Sequence, residues 1–156
     1  MGGYGSTRWG WRSTRATTDE FPTLDVRALA QRGYFSAGPG EVALGTETWC
    51  CDGKEVGRVD VLYRGDEVDA MTLEYVACQT NGTCHVVRER IGLDRTRCTL
   101  GGSRPWFVCP GCGMRRAVLF CVGGVFRCRV CHDLAYRSTR EKPVSGGSSA
   151  ALSVSN

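Results

Sequence analysis

The sequence predicts a mainly β protein of the α+β kind, a small antiparallel β meander followed by a C-terminal cysteine-bearing ribbon and a short helix. Three observations predict it. Apolar and polar residues alternate with period two over much of the stretch from Thr46 to Leu93. Two turn signals, Gly65-Asp66 and Asn81-Gly82, interrupt that alternation where hairpins reverse a chain. Beyond them stand two Cys-x-x-Cys pairs with fifteen residues between them.

Taken in order, residues 1–20 are rich in Gly, Ser, Thr and Arg, with Tyr4, Trp9 and Trp11 interleaved. They show neither period and read as a basic aromatic arm, flexible or docked on the surface. Residues 21–103 read as a small helix plus an acidic antiparallel β region. Thr23 stands as N-cap ahead of Leu24, Val26, Leu29 and Ala30, a turn or two of amphipathic helix. Gly33 ends it, Tyr34 and Phe35 pack back, and Ala37-Gly38-Pro39-Gly40 forms a loop. Val59, Val61 and Tyr63 then alternate with Arg58, Asp60 and Leu62. Met71, Leu73 and Tyr75 make the return strand, and Val87, Glu89, Ile91 and Leu93 oppose Arg88 and Arg90. This gives three or four strands. Residues 104–141 read as the ribbon. In it, residues 115–121 and Val125-Phe126-Arg127 flank Val122-Gly123-Gly124 as a hairpin, and residues 133–141 form a short helix carrying Leu134 and Tyr136. Residues 142–156, rich in Ser, Gly and Ala, read as a disordered tail.

Cys109-Pro-Gly-Cys112 and Cys128-Arg-Val-Cys131 carry the most specific chemistry in the chain. Two thiolates at this spacing wrap one side of a metal ion. Pro110, Gly111 and Gly113 supply the tight turn that aims backbone amides at the sulfurs. A hairpin between the pairs brings all four thiolates into one tetrahedron, the signature of a zinc ribbon with four cysteine ligands. The alternatives are a redox pair, which needs a single motif in a βαβ setting, and an iron–sulfur cluster. The expectation is one structural Zn2+ on Cys109, Cys112, Cys128 and Cys131, with His132 beside the ligands rather than among them. Cys50, Cys51, Cys78 and Cys84 read as buried free thiols ahead of a second metal site, since adjacent cysteines on a strand point apart. Cys121 reads as a small packing residue.

The net charge of +4 is unevenly spread: +3 over residues 1–18, −7 over 19–75, +2 over 76–103 and +6 over 104–156. A basic, aromatic-laced ribbon and arm suggest nucleic-acid contact through Arg8, Trp9, Arg12, Arg15, Arg115, Arg116, Arg127 and Arg129. Adjacent Arg115 and Arg116 point to opposite faces of a strand, so at most one shares a face with the arm. The alternative is a protein-binding adaptor acting on host transcription or defence machinery. Two histidines, His85 and His132, and a closed metal site leave acid–base chemistry few candidates, so no enzyme is expected. No apolar run approaches the roughly 18 residues of a membrane span, and the first residues lack the apolar core of a secretion signal, so a cytoplasmic protein is expected.

One resemblance adds to this. It runs through Cys98-Thr-Leu-Gly101-Gly102-Ser-Arg104-Pro-Trp106-Phe107-x-Cys109-Pro-x-Cys112-Gly113 and Ala117-Val118-Leu119-Phe120. It continues in Phe126-Arg127-Cys128-x-x-Cys131-His132-x-Leu134-Ala135-Tyr136-x-Ser138. Together with the Met1-Gly-Gly-Tyr-Gly-Ser-x-Arg8 start and Leu24-Asp25-Val26-Arg27, these segments resemble a family of uncharacterised bacterial and prophage zinc-ribbon proteins. The resemblance implies a small zinc-bearing protein of bacterial or mobile-element origin and carries no activity with it. A Ser/Gly tail stands where such relatives continue into a basic helix.

Overall fold

A computed structural model describes residues 15–136. The arm positions Arg8, Trp9 and Arg12, residues 137–141 and the 142–156 tail lie outside the described residues. Two antiparallel sheets make up the fold. The larger has six strands in simple sequence order: β2 (Val42–Cys51), β3 (Lys54–Arg64), β4 (Ala70–Cys78), β5 (Cys84–Arg97), β6 (Ser103–Val108) and β7 (Arg115–Arg116). The smaller orders β1 (Thr23–Asp25), β8 (Val118–Val122) and β9 (Val125–Arg127). The chain passes from the large sheet to the small one at Ala117, whose carbonyl accepts the Val26 N–H at 2.9 Å.

The expected meander is therefore present and longer than expected. Its extra first hairpin turns on Asp52-Gly53, both at positive φ (51° and 77°), with Cys51 opposite Lys54. That is the two-residue turn whose twist matches its strands, and Asp-Gly is its common sequence. Gly123-Gly124 repeat it between β8 and β9 at φ 60° and 76°. In β4–β5 the Asn81 side chain accepts the Thr83 N–H at 2.9 Å and Gly82 takes φ 85°. Each of these turns fixes register, and so which face of each strand is buried.

Period two then does the rest. Val59, Val61 and Tyr63, with Leu73, Ile91 and Phe107, are almost completely buried on one face of the large sheet. Leu24, Val26, Leu29, Leu119 and Phe126 belong to the same apolar cluster, so both sheets share one core. Phe126 meets Tyr75 edge-on with centroids 5.1 Å apart, and Phe35 meets Tyr63 likewise at 5.3 Å. At roughly 1.5–3 kcal/mol for each large apolar side chain, this shared burial is the main favourable term for the described fold.

Two local expectations are corrected. The N-cap is Asp25, not Thr23: its carboxylate accepts the Arg27 N–H at 2.9 Å, and α1 runs Val26–Gln31. Thr23 to Asp25 instead pair with β8, Leu24 opposite Leu119, because burying Leu24 against a strand outweighs one more helical turn. After Cys131, residues 133–136 form turns and a bridge rather than the start of a helix. Ala135 pairs with Thr17, its N–H donating to the Ala16 carbonyl at 3.0 Å and its carbonyl accepting the Thr18 N–H at 3.1 Å. Backbone groups committed to that pairing are lost to a helix. The described end of the arm thus docks on the end of the ribbon.

Candidate metal centre

Cys109 directly follows β6 and Cys128 directly follows β9, so each sheet delivers one cysteine pair. The two knuckles repeat each other. The Cys109 carbonyl accepts the Gly113 N–H at 2.8 Å, and the Cys128 carbonyl accepts the His132 N–H at 3.1 Å, both four residues on. In each pair the first cysteine is buried (1% exposed for Cys109 and Cys128) and the second lies at the surface. Two glycines are required. Gly113 sits at φ 70°, and a Cβ on Gly111 would lie 2.8 Å from the Cys131 sulfur, where the knuckles face each other.

All four sulfurs lie within 4.8 Å of one another. Cys109 and Cys131 are 3.8 Å apart at sulfur, as are Cys112 and Cys128. Four sulfurs bonded at about 2.3 Å to a tetrahedral ion stand about 3.8 Å apart, so the arrangement fits a metal tetrahedron and is far too long for disulfides. The Cys128 N–H donates to the Cys109 sulfur at 3.2 Å, the kind of bond that steadies a thiolate.

The sulfurs resist carrying charge together. Burial raises the Cys128 thiol, yet the Cys131 N–H and the neighbouring thiols pull it down to about 6. Cys131 is pushed up to about 12, by burial and then by the Cys128 and Cys112 sulfurs beside it. Only a cation lets all four ionise. His132 is not a ligand: its Nε2 lies 3.0 Å from the Phe120 carbonyl and 3.1 Å from that of Val125, tying the second knuckle to the β8–β9 hairpin.

Of the described arginines expected to meet nucleic acid, Arg15, Arg115, Arg127 and Arg129 are engaged within the chain. Arg15 forks onto Asp133. Arg115 pairs with Asp94 and holds that carboxyl below its ordinary range. Arg127 pairs at 2.6 Å with Glu89, a carboxylate on the inner face of β5 that also takes the Tyr75 hydroxyl at 3.1 Å. Both members of the Arg127–Glu89 pair are less than a third exposed. Arg129 donates to the Leu134 carbonyl at 3.0 Å and stacks over Tyr136 at 4.5 Å. Arg116 turns the other way from Arg115, toward the cysteines, as alternation on a strand requires.

The remaining cysteines correct the sequence reading. Cys78 and Cys84, directly opposite each other on β4 and β5, form a disulfide across the Gln79–Thr83 hairpin, and both are exposed. Cys50 and Cys51 are also exposed rather than buried: Cys50 keeps an outward place in the β2 alternation, and Cys51 follows it beside the Asp52-Gly53 turn. Cys121 is half-buried against the core, and burial pushes its thiol up. The Tyr75–Glu89–Arg127 link was missed; its signal was an acid, Glu89, at an apolar position of the β5 alternation. No helix among the described residues is long and apolar enough to cross a membrane. No family model, no curated protein and no solved structure matches the chain.

Proposed function

We propose that this chain is a zinc-ribbon protein in which Cys109, Cys112, Cys128 and Cys131 hold one structural Zn2+, and that it acts by binding another macromolecule rather than by catalysis. The observation that carries the metal is the 3.8 Å spacing of paired sulfurs from two matching knuckles. A tetrahedral thiolate set suits zinc or iron, and zinc is the common occupant of paired knuckles on a ribbon. Four protein ligands leave no open position for a reacting water, which supports a structural role.

For the partner we favour protein. The outer face of the large sheet carries rows such as Leu44–Leu62–Thr72–Arg90 and Thr46–Asp60–Glu74–Arg88. Three of its arginines meet carboxylates of the same face or rim: Arg88 with Glu74, Arg90 with Glu67 and Asp69, Arg115 with Asp94. Exposed Leu44, Val56, Val76 and Val86 stand among them. A charge-matched face with scattered apolar groups suits a protein partner better than a phosphate backbone. Nucleic acid is the second reading, favoured by the five arginines against one acid in residues 104–136. The bacterial or prophage origin belongs to the proposal on the strength of the sequence resemblance alone.

The experiment is a titration of the zinc-loaded full chain against labelled single- and double-stranded DNA and RNA, at low and at physiological salt. No saturable binding at low salt supports the protein reading. Binding that weakens steeply with salt moves the assignment to nucleic acid. Metal analysis of the same sample tests the zinc independently.

A further inference from the structure

Four thiolates around a dication leave two negative charges in a small volume, and such charge needs a neighbour. Arg127 goes to Glu89, Arg129 to the Leu134 carbonyl and Arg115 to Asp94. Arg116 is different. Its Nε is a buried nitrogen without a hydrogen-bond partner, an unfavourable state for a guanidinium donor. β7 places it opposite Phe107, two residues before Cys109, and it lines a cleft with Cys128, Arg129 and Tyr136.

We infer that Arg116 is a positioning residue of the metal centre: its guanidinium faces the sulfurs of Cys112 and Cys128 and offsets part of the negative charge that four thiolates leave around the metal. The inference rests on the zinc reading above. No N–H···S bond of full hydrogen-bond geometry forms to these sulfurs, and metal binding, which converts thiol to thiolate, supplies the acceptor the Nε lacks. Two consequences follow: thiolates form more easily, so zinc is held more tightly at neutral pH, and the sulfurs donate less electron density to the metal.

The test uses the full chain with Arg116→Met, Arg116→Lys and, as a control one residue away, Arg115→Met. Zinc affinity is read by competition with a chromophoric chelator, and sulfur donation by the charge-transfer band of the Co2+-loaded protein. Arg116→Met is expected to lower zinc affinity by about 10–100-fold. It should also move the sulfur-to-cobalt band to lower energy while the tetrahedral d–d bands stay. Arg116→Lys recovers part of the affinity, which a merely steric role does not explain. Arg115→Met, which removes an exposed ion pair, leaves both readings at the parent values. Should Arg116→Met not fold, Arg116→Gln, which keeps a donor without the charge, is expected to show the same loss and the same shift. Parent affinity and band energy in a folded neutral variant overturn the inference while leaving the zinc reading intact. A parent chain that takes up no metal overturns both.

Discussion

The large sheet and the cysteine ribbon solve the same problem by different means. In β2 to β6 long antiparallel ladders pair in sequence order, the first hairpin closed by a two-residue turn and the next three by five-residue connections, and one face buries Val59, Val61, Tyr63, Leu73, Ile91 and Phe107. The ribbon has strands of two, five and three residues in β7, β8 and β9, and contributes Leu119, Phe120, Phe126 and Leu134 to the buried set. A segment that short buries little apolar surface of its own, and the proposed metal would supply the order its knuckles lack. On the proposed zinc reading, metal and core are alternative sources of order, joined where Phe126 meets Tyr75 and Trp49.

The largest expected effect separates the two regions. Cys128→Ser removes the metal and should unfold the ribbon, since structural zinc supplies about 10–16 kcal/mol of apparent binding energy in isolated fingers. The strands of β2 to β5 should persist. Limited proteolysis checks this: cuts absent from the parent are expected within residues 104–136, and a ribbon as resistant as the parent's breaks the comparison. Phe126→Ala strikes the joint. It should cost about 3–5 kcal/mol, read in a denaturant titration as one cooperative transition of lower midpoint. Two separate transitions would show that the regions do not share a core.

Smaller effects sharpen the picture within the sheet. Cys78→Ser opens the β4–β5 hairpin disulfide and should lower stability by about 2 kcal/mol against the parent, both measured without reductant. Metal content should not change; loss of zinc would mean that the hairpin supports the ribbon directly. Asp25→Ala should cost about 1 kcal/mol through the lost helix cap. Burial pushes the Asp25 carboxyl up, but the bonds from Arg27 outweigh it and hold the group below its ordinary 3.8. Its contribution is therefore complete above that unfolded value and is lost as pH falls through the folded one. The deficit of Asp25→Ala should shrink in acid; a deficit constant from neutral pH down to well below 3.8 contradicts the assignment.

Sequence legibility follows the same division. The inner faces of β3, β4 and β5 were readable because side chains alternate with period two and the turns are Gly-Asp and Asn-Gly. The clustering of the four cysteines was readable because two Cys-x-x-Cys pairs with a hairpin between them bring their sulfurs together. The arginines were not. Charge counts along a chain do not say which carboxylate stands opposite, and Glu89 and Asp94 come from β5, far in sequence from Arg127 and Arg115. Leu24 and Leu134 read as helical since local periodicity cannot see a distant partner, β8 for Leu24 and, beside Leu134, the Thr17 bridge to Ala135. The Cys78–Cys84 bridge was hidden for the same reason: it depends on β4–β5 register rather than on spacing alone.

The central claim is that four sulfurs and no other atom hold one zinc ion in the ribbon. Zinc-edge X-ray absorption on the purified full chain, with metal analysis of the same sample, tests it directly. The account predicts one zinc per chain and a single shell of four sulfurs at about 2.3 Å. A shell containing nitrogen or oxygen, as His132 or a water in place of Cys131 would give, or a chain isolated without zinc, would contradict it.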